Sequence, residues 1–192
     1  MRSHVEQDYE TAKMIADKNL QKIINEWPRA LAEREERIFE ELSSSREPSL
    51  KKLENIYAFL DDLLSFVANY TPCRKGCSYC CYMKVAVSPL EAEYIQTNLK
   101  IKQRPNSQKK DTHGTPCPFL KDGACSIYEY RPFVCRRHLT FFDNPRWCQL
   151  DLCDKYIWPL LRCPEVETSY RFVISESGDR SLYDIRQLFQ YE

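Results

Sequence analysis

Along the first 70 residues, apolar side chains recur at steps of three and four. Val5, Tyr9, Ala12, Ala16, Leu20, Ile23 and Trp27 fall on one face of a helix. Pro28 interrupts that stripe, and a weaker one of Leu31, Ile38 and Leu42 follows. The charged run Glu33–Arg37 reads as the solvated face of this second helix. Ser43 to Pro48 has turn composition. A third helix is expected from about Leu50 to Tyr70, burying Leu53, Ile56, Tyr57, Leu60, Leu64 and Val67. Thr71 and Pro72 end it, because the residue before a proline is pushed out of the helical region.

Beyond Pro72 the periods shorten. Met83 to Val87 is a brief apolar run that stops at Ser88-Pro89-Leu90-Glu91, a helix start with Ser88 as N-cap and Glu91 closing a capping box. The helix after it carries Leu90, Tyr94, Ile95 and Leu99 on one face. Residues 101 to 114 are polar, lysine-rich and without a period, as expected of an exposed loop. Lys109 and Lys110 in it suit either plain solvation or contact with a phosphate. Lys121-Asp122-Gly123-Ala124 is a hairpin-type turn, and Ser126 and Pro132 each open a short helical turn. The tail, from Arg171 onward with Leu182, Ile185 and Leu188 in a short helix, is expected to pack back on the preceding domain. The pattern predicts a mainly α fold. A helical N-terminal segment (1–70) precedes a small cysteine-rich, metal-stapled domain with a C-terminal tail (71–192).

Composition adds chemistry. The 192 residues carry 28 basic and 28 acidic side chains, so no global field draws the chain to nucleic acid or anionic lipid. No apolar stretch approaches a membrane span, and Met1 to Glu10 lacks the apolar core of a secretory signal. A cytoplasmic, reducing location is therefore expected. There the ten cysteines argue for metal rather than for disulfides. Only four glycines are present, which excludes a glycine-rich dinucleotide loop and a phosphate-binding P-loop.

The cysteines are bunched. None occurs in the first 72 residues; then Cys73, Cys77, Cys80 and Cys81 fall within nine. Cys117, Cys125 and Cys135 follow, then Cys148, Cys153 and Cys163. The turn at Asp122-Gly123 brings Cys117 and Cys125 to its base, and the turn opened by Pro132 presents Cys135. Clustered thiolates bind soft metals or iron–sulfur clusters.

Cys-x3-Cys-x2-Cys-Cys, then Cys-Pro-Phe-Leu, then Cys-Ser-Ile-Tyr-Glu-x-Arg-Pro-x-x-Cys-Arg resembles the YkgJ-like cysteine-cluster family of zinc- or iron-chelating domains. The likeness runs from Cys73 to about Arg137. It implies that Cys73, Cys77, Cys80, Cys81, Cys117, Cys125 and Cys135 are the metal-site residues. Longer relatives include the cysteine-rich part of flagellin lysine methylases, although nothing here reads as a methylase cofactor pocket.

The chemistry of the residues agrees with that resemblance. Arg74, Lys75, Arg131, Arg136 and Arg137 flank the cysteines and would offset the charge of bound thiolates, or simply cap short helices. Adjacent Cys80 and Cys81 do not easily face one ion. One is expected to ligate while the other packs, bridges or serves a second site. His138 is a candidate nitrogen ligand, whereas His4 and His113 have no local support. Cys148, Cys153 and Cys163 read as buried core cysteines or as a second site. The cofactor is an iron–sulfur cluster, most simply 4Fe–4S, or zinc. Three features lean towards iron: an all-sulfur donor set, the dense cysteine run and the flanking cations.

Cys73-x3-Cys77-x2-Cys80 with Tyr79 also resembles the radical S-adenosylmethionine signature. Only 111 residues follow Cys81, however, without the βα alternation that such enzymes need. No acid–base pair or activated nucleophile is visible. A metal-binding accessory module, with a protein partner docked on the N-terminal helices, is the expectation, and an enzyme of the radical or methylase kind is the alternative.

Overall fold

A computed structural model of the chain describes residues 4–103, 112–157 and 159–190. The expectations for Lys109 and Lys110 lie outside the described residues.

Three long helices come first: α1 (His4–Asn25), α2 (Arg29–Ser44) and α3 (Ser49–Val67). Each proline between them seeds the next helix rather than merely ending the last. The Pro28 carbonyl accepts from the amides of Leu31 (3.0 Å) and Ala32 (3.1 Å), and the Pro48 carbonyl does the same for Lys51 and Lys52. Of the first stripe, Ala12, Ala16 and Ile23 are buried, while Val5 is exposed. The α3 face is broader than its stripe, with Phe59 and Leu63 also buried and Leu64 only partly so. The reason is that α3 is covered on several sides, by α2, α4 (Pro89–Leu99), α5 (Phe133–Arg137) and α7 (Pro164–Glu176).

The helix start at Ser88 forms as expected, with both halves of the capping box in place. Glu91 also does more than close that box. Its carboxylate is fully buried and accepts from the Ser88 amide (2.9 Å) and hydroxyl (3.0 Å), the Tyr57 hydroxyl (2.9 Å), the Phe133 amide (2.8 Å) and the Tyr170 hydroxyl (2.7 Å). A buried charge persists only when its lone pairs are filled, so this one group fixes α3, α4, α5 and α7 to each other.

Strands are few. β1 (Ala86–Val87) pairs antiparallel with β4 (Tyr183–Asp184), and β2 (Leu120–Lys121) with β3 (Ala124–Cys125). The latter hairpin turns through Asp122 (φ 49°) and Gly123 (φ 74°), the doubly positive pair that Asp-Gly favours. The short helices α6 (Leu150–Cys153) and α8 (Ile185–Leu188) complete the mainly α fold. In the tail, β4 and α8 return to the cysteine region, whereas α7 lies along α2 and α3, where Lys52 is buried and bonded to Glu176 at 2.8 Å. No helix among the described residues is long and apolar enough to cross a membrane.

Candidate metal centre

After α3 the chain makes a 3-10 turn, Ala68–Tyr70, and enters the cysteine loop. The Thr71 hydroxyl donates to the Thr140 carbonyl (2.6 Å) and accepts from the Cys73 amide (3.0 Å). The Thr140 amide in turn points at the Cys73 sulfur, 3.5 Å away. Gly76, at φ 96°, lets the loop turn back so that the Cys77 amide reaches the Arg74 carbonyl at 3.0 Å. A second 3-10 turn, Tyr79–Tyr82, then carries Cys80 and Cys81.

The other cysteines are brought in by backbone bonds. The Cys117 amide donates to the Cys81 carbonyl at 2.8 Å, and the register of the hairpin sets Cys125 opposite Leu120. Pro132 opens α5, which presents Cys135. As a result Cys77, Cys80, Cys81, Cys117, Cys125 and Cys135 line one cavity of about 40 Å³, walled also by Val85, Ile127 and Arg131. Cys73 stands beside it, within electrostatic reach of Cys77 and Cys80. All ten cysteines are unbridged. Among the described residues no three Cys, His, Asp or Glu side chains stand at metal-holding distances, so the sulfurs share a chamber without being closed on one point.

Burial pushes the thiols of Cys73, Cys77, Cys125 and Cys135 up, and that of Cys117 up to about 11. Cys80 is raised mainly by its hydrogen bond with Cys81 and then by burial. Burial thus favours the protonated form of these raised thiols, and a metal has to displace their protons.

The flanking cations are mostly engaged elsewhere. Arg136 is buried, bonded to Asp61 and to the Glu129 and Arg131 carbonyls, and stacked on Tyr57. Arg137 pairs with Glu167, and Lys75 with Glu129. Arg131 is the one that lines the chamber, and Arg74 favours the Cys77 thiolate. The sequence pattern gave no hint of Arg186. It donates to the carbonyls of Cys81 (2.9 Å), Thr115 (2.7 Å) and Pro116 (3.1 Å), and it favours the Cys117 thiolate.

His138 shares a small cavity of about 30 Å³ with Cys80 and Cys135, and burial lowers its pKa, favouring the neutral, ligating form. His113 instead contacts Asp154 at 3.0 Å, and His4 is exposed at the start of α1. Cys163 packs with Leu60, Leu63 and Phe133 as a core residue. Cys153 is half-buried, its thiol facing the Leu150 carbonyl at 3.6 Å. Cys148 is buried yet outside the contiguous hydrophobic core, and burial first, then the charges of Cys73, Cys80, Cys77 and Cys153, push its thiol up.

Residues 72–150 match the family model CxxCxxCC, described as "Putative zinc- or iron-chelating domain". The segment is thus similar to the domains that this model describes, over 79 of the 192 residues. No curated protein and no solved structure matches the chain. The match extends past Arg137, where the sequence resemblance ends, and takes in Cys148. Within the matched segment the first interval, Cys73 to Cys77, holds three residues where the name CxxCxxCC spells two, and Gly76, at φ 96°, shapes that turn.

Proposed function

We propose that the matched segment holds a metal centre through its clustered thiols, an iron–sulfur cluster of the 4Fe–4S kind ahead of zinc, in a binding or accessory module. One observation carries the proposal: cysteines from the 73–81 loop, the β2–β3 hairpin region and α5 line one chamber, all unbridged. Thiols gathered in this way are soft-metal donors, and metal binding would staple the loops that carry them.

Iron is favoured by the all-sulfur donor set of the chamber and by the dense Cys73–Cys81 run. When bound, a cluster would supply one-electron chemistry, tuned by the amides and by Arg131 around the sulfurs. Zinc is the second reading, favoured by the small size of the chamber and by neutral His138 beside Cys80 and Cys135. A reducing, cytoplasmic setting that keeps the thiols free belongs to the same proposal. So does a protein partner on the N-terminal helices, where Met14 and Ile24 of α1 are exposed.

Cysteine-to-serine variants test the ligands. Serine at Cys117, Cys125 or Cys135 is expected to lower bound metal and to reduce folding stability by several kcal/mol, since binding and folding are one equilibrium. Serine at core Cys163 should leave the metal content unchanged. Full metal in the first set would overturn the assignment.

A further inference from the structure

We propose that a cavity between α4, the β2–β3 hairpin and α8 binds a small organic anion. The ligand is a single aromatic ring that carries a carboxylate or phosphate on a short arm. The cavity holds about 220 Å³, several times the volume of the cysteine chamber. Among the described residues that line the two, only Ile127 is shared, so this site is additional to the metal centre.

Three parts of the chain leave the space between them. α4 ends at Lys100, whose left-handed backbone (φ 55°) turns the chain, and the Lys100 and Ile101 amides both donate to the Gln96 carbonyl. That turn brings Ile101 and Lys102 to the cavity. The hairpin forms a second wall. It is closed at its base where the Ser126 amide (2.8 Å) and hydroxyl (2.9 Å) both donate to the Phe119 carbonyl. The end of α8 supplies the third wall. There the Phe189 amide donates to the Ile185 carbonyl at 3.0 Å, and the Phe189 ring packs on Phe119 with centroids 5.1 Å apart.

The lining divides into an apolar floor and a charged rim. Pro118, Phe119, Ile127 and Phe189 are buried, and Leu99 and Ile101 half-buried. Lys102, Lys121, Ser126 and Gln190 line the cavity from exposed positions. No acidic side chain is among the described lining residues, and neither lysine forms an ion pair with a described residue. Two ammonium groups therefore stand at the rim without a carboxylate to neutralise them.

This combination selects the ligand. An apolar cavity of about 150 Å³ takes up benzene, so this one has room for one ring and a short arm. It falls below the roughly 300–1,000 Å³ of sites for drug-sized ligands, and is too small for a nucleotide. A ring on the floor extends the tilted Phe119–Phe189 pair, an arrangement that aromatic rings favour. The Ser126 hydroxyl already donates to a carbonyl, which leaves the lysine ammonium groups and the Gln190 amide as the donors for the anion.

The test is calorimetric titration of reduced, full-length protein, purified without oxygen, with 3-phenylpropionate and with phenyl phosphate. 3-Phenylpropionamide and 2-phenylethylamine are the neutral and cationic controls. One equivalent of at least one anion should bind with a Kd below about 1 mM, and which of them binds separates carboxylate from phosphate. The amide should bind about ten-fold more weakly, and the amine not measurably. Lys102→Ala combined with Lys121→Ala changes exposed positions, where folding is undisturbed, and should weaken the anion about ten-fold. Leu99→Trp, which fills the cavity from the end of α4, should abolish binding. Absence of saturable binding by either anion up to about 10 mM overturns the proposal. So does an amide that binds as tightly as the anion, or anion affinity unchanged in the double lysine variant or in Leu99→Trp.

Discussion

The amide of Cys117 donates to the carbonyl of Cys81 at 2.8 Å. That bond joins two stretches that carry sulfurs and ties them together through the backbone. Arg186 reinforces it from 105 residues downstream, bonded to the same Cys81 carbonyl and to those of Thr115 and Pro116. Asp184, at 3.1 Å, holds the guanidinium in place.

Arg186→Ala should therefore lower stability by about 1–3 kcal/mol, the usual penalty for leaving partly buried carbonyls unpaired. It should also weaken metal binding, because the Cys117 side of the chamber loses its tie. Arg186→Lys should recover little, since a compact ammonium lacks the planar fork that reaches these carbonyls and Asp184 at once. Urea unfolding and zinc competition measure the two effects. Metal affinity equal to that of the unaltered protein in Arg186→Ala would contradict this role.

Glu91 offers a test of the scaffold apart from the sulfurs. Its oxygens face five donors, so Glu91→Gln turns an amide NH₂ towards groups that themselves donate. A loss of about 3 kcal/mol or more in the urea-derived stability is expected. A loss below about 1 kcal/mol would show that the network does not hold the helices together.

Much of this was legible beforehand, and the particular residues explain why. The stripes of α1 to α3, the Ser88–Glu91 capping box and the Asp122–Gly123 turn are local signals, read within a few residues. The convergence of Cys117, Cys125 and Cys135 followed from turn chemistry and spacing. What escaped was set by distant partners. Phe59 and Leu63 of α3 are buried because α7, about a hundred residues later, contributes to covering that helix. Arg136 and Arg137 sit next to Cys135 in sequence, yet Asp61 and Glu167 hold them. Arg186 and Cys148 meet the cysteine loop only through tertiary packing, and no local pattern marks either.

The thiols give the metal-free protein a pH dependence of defined sign. Burial raises Cys117 from its ordinary 9.0 to about 11, so its protonated form is favoured in the folded state. The stability linked to that proton is fully present below pH ~9 and is lost as the pH rises towards 11. The urea midpoint of the metal-free protein should fall between pH 9 and 11, and less so in Cys117→Ser. A midpoint that rises over this range would contradict the burial of these thiols.

The cysteine spacing shared with radical S-adenosylmethionine enzymes leads to an expectation of inactivity. The reduced protein should not cleave S-adenosylmethionine. Measurable cleavage that survives Cys81→Ser would mean that Cys73, Cys77 and Cys80 alone hold a cluster with an open iron, and the accessory-module function would fall.

The metal content and visible spectrum of protein purified without oxygen test the central claim most directly. Stoichiometric iron and sulfide are expected, in a brown protein whose broad visible band is bleached by dithionite. Colourless protein that carries neither iron nor zinc, and takes up neither on anaerobic reconstitution, would contradict it.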